Sequence, residues 1–203
     1  MPNPGNALLI VDVQNDFCPG GALEVGSGDQ VVPVLNTYAR LFEKGGCSVF
    51  ASRDWHPSRT THFRDFGGDW PAHCVQGTRG AAFHPKLKLP PGAMIISKGM
   101  DPEKDSYSAF QGFDEKYVPF PQVLIRAGVT ALFAGGLATD YCVKQSCLDA
   151  VRHGLAVYLL ADAVRGVDLK PEDSRKAIED MTRAGVKSVN LKDVKAILAK
   201  DTQ

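Results

Sequence analysis

Three residues far apart in the chain, Asp12, Lys98 and Cys142, are of the types that a nucleophilic acyl-transfer centre uses. A thiol can attack a carbonyl carbon, a carboxylate can take the thiol proton and return it to a leaving group, and a lysine beside them favours the thiolate. Their placement is what raises them above background. Asp12 closes an apolar run, Lys98 follows Ile95-Ile96, and Cys142 falls in the first turn of a helix predicted from Thr139, where the positive helix end also favours thiolate. Gly135-Gly136-Leu137-Ala138 reads as a turn whose successive N–H groups face a developing oxyanion. Taken singly, each residue has a plain reading. A helical cysteine is usually a small buried hydrophobe and a lysine usually a solvated surface group. Asp12 is harder to dismiss, because a buried carboxylate without a partner costs several kcal/mol.

A second set lies between these residues. Four of the five histidines fall within residues 55–84, together with both tryptophans. In extended backbone, residues i and i+2 project to one side, so Asp54 and His56 can share a ligand, with His73 as a third arm and His62 as a further candidate. One carboxylate and two imidazoles leave positions open for water and substrate, which suits one divalent ion, zinc first, with iron or manganese also fitting. Spacing alone leaves metal binding and simple turn capping both open. His84 and His153 have no such company and read as structural.

The elements that must position these residues alternate. Ala7 to Val13 is a nearly continuous apolar run, the mark of a strand buried on both faces of a parallel sheet. Val31, Val34, Leu35, Tyr38, Leu41 and Phe42 form a helical stripe stopped by Gly45-Gly46, and Cys47 to Ser52 is a second strand. Residues 53–93 hold no sustained period, which in a compact domain marks a functional stretch. Ala93 to Ser97 is a short strand, and Lys98 to about Tyr117 is again irregular. Helix Phe120 to Ala127, strand Thr130 to Ala134, helix Thr139 to Arg152, strand Leu155 to Ala161, helix Pro171 to Ala184, strand Val186 to Val189 and helix Leu191 to Ala199 complete the chain. The prediction is an α/β fold: a doubly wound, mostly parallel six-stranded sheet ordered 3-2-1-4-5-6 with helices on both faces. Such sheets bind ligands outside the carboxyl ends of their strands, where the reactive residues fall.

Composition bounds the remaining choices. Residues 1–203 fit one domain, and 44% apolar residues suffice for a core. The 23 basic residues balance 23 acidic ones, so neither a nucleic acid nor a membrane surface is the expected partner; a small molecule is. No apolar run approaches the ~18 residues of a spanning helix, and five cysteines without a paired framework suggest reduced thiols in the cytoplasm. Whether the chain forms a homo-oligomer is open.

Five ordered motifs then carry a resemblance. Asp12-Val13-Gln14-Asn15-Asp16-Phe17, Asp54-Trp55-His56-Pro57, Trp70-Pro71-Ala72-His73-Cys74, Lys98-Gly99 and Gly136-Leu137-Ala138-Thr139-Asp140-Tyr141-Cys142-Val143 are similar to the nicotinamidases of the isochorismatase-like cysteine hydrolases. The resemblance spans roughly Ala7 to Val189. It implies hydrolysis of nicotinamide to nicotinate and ammonia in NAD salvage, with pyrazinamide as a further substrate. Cys142 would attack the carboxamide, Asp12 would act as base then acid, and Lys98 would order both. Asp54, His56 and His73 would hold a divalent metal that binds the pyridine nitrogen; the position of His62 is a ligand in some members only. A cis peptide at Leu137-Ala138 would turn the N–H groups of Ala138 and Cys142 toward the oxyanion. Phe17, Trp70, Tyr107 and Tyr141 would enclose the ring.

Two other readings stand beside this one. An N-carbamoyl amide amidase of the same superfamily shares the triad without the metal motif, and a non-catalytic interaction domain could use the same fold. An isochorismatase proper is disfavoured because that branch lacks the cysteine. A Cys142–Cys147 redox pair is weaker still, since residues five apart on a helix lie on different faces.

Overall fold

A computed structural model describes residues 5–200. Six strands, β1 (Asn6–Val11), β2 (Ser48–Asp54), β3 (Met94–Lys98), β4 (Ala131–Leu137), β5 (Ala156–Arg165) and β6 (Lys187–Val189), form one sheet in the order β3-β2-β1-β4-β5-β6. Every neighbouring pair is parallel, as the alternation of strand and helix patterns requires. Among the described residues four α-helices lie between strands, α1 (Val31–Lys44), α2 (Phe120–Arg126), α3 (Lys144–Arg152) and α4 (Asp173–Arg183), and α5 (Leu191–Lys200) follows β6. No helix among the described residues is long and apolar enough to cross a membrane.

β1 shows why its sequence is apolar without alternation. Ala7, Leu9 and Val11 pack with Phe120 and Leu124 of α2, Cys147 of α3 and Met181 of α4 on one face. Leu8 and Ile10 pack with Leu35, Tyr38 and Phe42 of α1 and Val194 of α5 on the other. Both faces are covered, so both need apolar side chains. Each large one removed from water contributes about 1.5–3 kcal/mol.

Several predicted boundaries move. β1 ends at Val11, and Asp12 adopts a left-handed backbone with φ 48° just beyond it. Gly135 and Gly136 lie inside β4 rather than in a turn. A Cβ on Gly136 would stand 2.1 Å from the Val11 carbonyl oxygen, so the close approach of β1 and β4 demands glycine there. The predicted helix from Thr139 begins as a π turn over Thr139–Val143, with no side-chain cap from Thr139, and becomes α-helical only at Lys144. β5 continues to Arg165. Pro171 does not open α4: Glu172 is left-handed at φ 76°, and the carboxylate of Asp168 accepts from the Ser174 N–H and hydroxyl at the helix start. Residues 55–93 hold no strand or α-helix, only a short 3-10 turn (Arg64–Phe66), but they are pinned by isolated bridges, His56 to Val75 and Phe63 to Trp70.

Candidate active site

The strand order reverses between β1 and β4, and the reactive residues gather at the carboxyl ends beside that reversal. Asp12 follows β1, Asp54 and Lys98 end the paired strands β2 and β3, and Cys142 sits in the π turn after β4. All four are buried. Lys98 Nζ is the hub: it lies 3.0 Å from Asp12 Oδ2, donates to Asp54 Oδ1, donates to the Ser106 carbonyl at 3.2 Å, and stands 3.5 Å from Cys142 Sγ. Asp12 Oδ1 accepts from the Ser52 hydroxyl at 2.7 Å.

Burial and charge act against each other here. Burial raises the Asp12 carboxyl above its ordinary value, Lys98 partly offsets this, and Asp54 adds to the rise. At Asp54 burial also opposes ionisation, but Lys98, His56 and His73 outweigh it and hold the group well below the carboxylate range. Burial alone would depress the Lys98 ammonium; the two carboxylates overcome it and raise it well above its usual value. The Cys142 thiol corrects the sequence expectation. Burial pushes it well up, Lys98 opposes, and Asp12 and Asp54 add to the rise, so burial works against the thiolate that the lysine and the helix end favour.

The second set meets the first through Asp54. His56 Nε2 lies 3.8 Å from Asp54 Oδ1 and His73 Nε2 lies 4.0 Å from Oδ2, both beyond hydrogen-bond reach. His62 joins them: one ring nitrogen from each of His56, His62 and His73 falls within 4.8 Å of the others, and the His56 and His62 rings stack at 4.6 Å. Gly99, at φ +69°, admits the His56 ring, since a Cβ there would stand 2.5 Å from its Cε1. His73 Nδ1 donates to the Pro71 carbonyl at 2.8 Å, and burial depresses its imidazole to about 4, leaving it neutral near pH 7. Burial also lowers His62, with Asp105 opposing.

These donors fit a divalent cation. Both ring nitrogens of the buried His56 lack any hydrogen-bond partner, a costly arrangement that a coordinated ion would relieve at one of them. Two buried carboxylates also face one buried ammonium, an excess of negative charge that a dication offsets.

A cavity of about 400 Å³, open solvent at its mouth included, connects the two sets. Cys142, Asp54, His62 and His73 reach it, and all four predicted aromatics, Phe17, Trp70, Tyr107 and Tyr141, line it. Trp70 Nε1 donates to the Tyr107 hydroxyl at 2.9 Å, and the Trp70 and Tyr141 rings meet edge to face at 5.0 Å. The Leu137-Ala138 peptide is cis. Ala138 also lines the cavity, and its carbonyl accepts from the N–H groups of Tyr141 and Val143. His84 and His153 lie elsewhere, His153 stacked on Phe110.

Sequence reasoning missed the residues that hold these groups. Gln14, fully buried, donates to the Asp54 and Ala81 carbonyls and accepts from the Asp54 N–H, so its amide clamps the end of β2. Ser52, Ser106 and Asp105 were likewise unmarked, since a single hydroxyl or exposed carboxylate carries no periodic signal.

Comparison with known proteins agrees with this geometry. The nicotinamidase of Escherichia coli (strain K12) is 40% identical over 208 residues, covering 94% of this chain and 97% of that protein. The nicotinamidase/pyrazinamidase of Mycobacterium tuberculosis is 40% identical over 187 residues, covering 90% and 97%. The crystal structure of the pyrazinamidase of Pyrococcus horikoshii in complex with zinc superposes with a TM-score of 0.86 at 46% identity, covering 93% of this chain and 100% of the other. The isochorismatase domain profile matches residues 6–193, and this chain belongs to the isochorismatase family.

Proposed function

We propose that this protein is a metal-dependent amidohydrolase that converts nicotinamide to nicotinate and ammonia through a thioester on Cys142. The observation that carries the reading is a single cavity with Cys142, backed by Lys98 and Asp12, at one end and Asp54 with the histidines at the other. The similar proteins named nicotinamidase and pyrazinamidase support the same substrate class, flat heteroaromatic carboxamides.

The residues divide the work as follows. Phe17, Trp70, Tyr107 and Tyr141 bind the aromatic ring and exclude water from its faces. Asp12 takes the thiol proton as Cys142 Sγ bonds to the carboxamide carbon, and the N–H groups of Ala138 and Cys142 receive the negative charge that develops on oxygen. Asp12 then returns that proton to the departing nitrogen as the C–N bond breaks, releasing ammonia and leaving the thioester. A water molecule gives its proton to Asp12 and its oxygen to the acyl carbon; the C–S bond breaks, nicotinate leaves, and the proton passes back to Cys142. A raised Asp12 carboxyl suits a group that must accept and return a proton, and Lys98 favours its ionised form. Asp54, His56 and His73 would hold the divalent ion, zinc by analogy with the Pyrococcus horikoshii protein, which would supply a Lewis-acid partner for the ring nitrogen. A cytoplasmic location fits five cysteines whose spacing in the sequence gives no paired framework.

The test is stoichiometric release of ammonia and nicotinate by zinc-loaded protein, with a thioester on Cys142 detected by mass spectrometry. Full activity in Cys142→Ala would overturn the mechanism.

A further inference from the structure

Each histidine of the metal set has two ring nitrogens, and the one that faces away from the cluster decides which tautomer the ring adopts. His73 is settled by a backbone carbonyl. His62 is settled by something unlike the rest of the site. Its Nδ1 donates to Asp105 Oδ1 at 2.6 Å, although the ring is 4% exposed and the Asp105 side chain is 59% exposed. This carboxylate lies outside the cavity, 43 residues away in sequence, on the irregular segment after β3.

That segment is fastened along its length. The Pro102 carbonyl accepts from the hydroxyls of Thr60 and Thr61 and from the Thr61 N–H. The Ser106 carbonyl accepts from Lys98 Nζ, and the Tyr107 hydroxyl accepts from Trp70 Nε1. Asp105 therefore stands between the histidine segment on one side and the residues that face substrate on the other.

We infer that Asp105 is a positioning residue for the metal: by accepting from Nδ1 it presents the other His62 nitrogen to His56 and His73 and fixes the ring for coordination. The inference rests on the metal reading above and adds His62 to its ligands. An exposed ion pair contributes little by itself, so the effect belongs to ring orientation and not to fold stability. Loss of an outer carboxylate behind a ligating histidine costs about 10- to 100-fold in metal affinity.

The test is Zn²⁺ affinity of the full chain, measured by competition with a chromophoric chelator, for wild type, Asp105→Ala, Asp105→Glu, His62→Ala and the double variant His62→Ala/Asp105→Ala. Asp105→Ala should bind about 10- to 100-fold more weakly, with Asp105→Glu recovering part of the loss. In the His62→Ala background, removing Asp105 should change affinity by less than about twofold, because the two residues act through one contact. Unchanged affinity in Asp105→Ala, or an equal loss in both backgrounds, would overturn the inference while leaving the metal reading intact. A wild-type chain that binds no Zn²⁺ would instead overturn both.

Discussion

The two ends of the cavity are built on opposite plans. At the strand-borne end, charges answer each other: Lys98 reaches Asp12 and Asp54, and Ser52 supports Asp12. At the loop-borne end, histidines crowd within 4.8 Å of one another and His56 leaves both nitrogens unpartnered. The first end pairs its charges largely within the protein, whereas the second leaves His56 free to coordinate an ion. Asp54 belongs to both, so a change at either end can reach the other through it.

That contrast can be broken in order of size. Cys142→Ala should lower turnover by about 10⁴-fold or more, while Zn²⁺ affinity stays within about twofold; a parallel fall in affinity would show the two ends are not separable. Lys98→Met removes the sole ammonium between two buried carboxylates, and urea unfolding should show a loss of about 3–5 kcal/mol. An unchanged midpoint would mean that the strand end does not depend on its ion pairs. His56→Ala removes a ligand itself and should weaken Zn²⁺ binding by at least about 100-fold, the upper end of the loss expected at Asp105, yet leave iodoacetamide labelling of Cys142 intact in the metal-free chain. Gln14→Ala leaves the Asp54 backbone and the Ala81 carbonyl without partners. It should cost about 2 kcal/mol of stability and, because Asp54 is shared, lower both turnover and Zn²⁺ affinity. A change in only one of them would place the clamp at one end alone.

The sequence by itself determined the strands, their order and the reactive residues at their carboxyl ends. Those features are local or periodic: an apolar run is readable in Leu8, Leu9 and Ile10, and a parallel sheet of that order brings Asp12, Lys98 and the turn after β4 to one edge. What only the tertiary structure decided depends on distance and burial. The sharing of Lys98 between two carboxylates, the Gln14 clamp and the Asp105 contact each join segments about 40 residues apart or more, and the recruitment of His62 depends on an irregular stretch with no period to read. The environment of Cys142, where burial opposes a nearby lysine, and the start of its helix as a π turn were likewise not readable in the chain. No local pattern encodes these, because the free energy of a buried polar group is set by its surroundings in space and not by its neighbours in the chain.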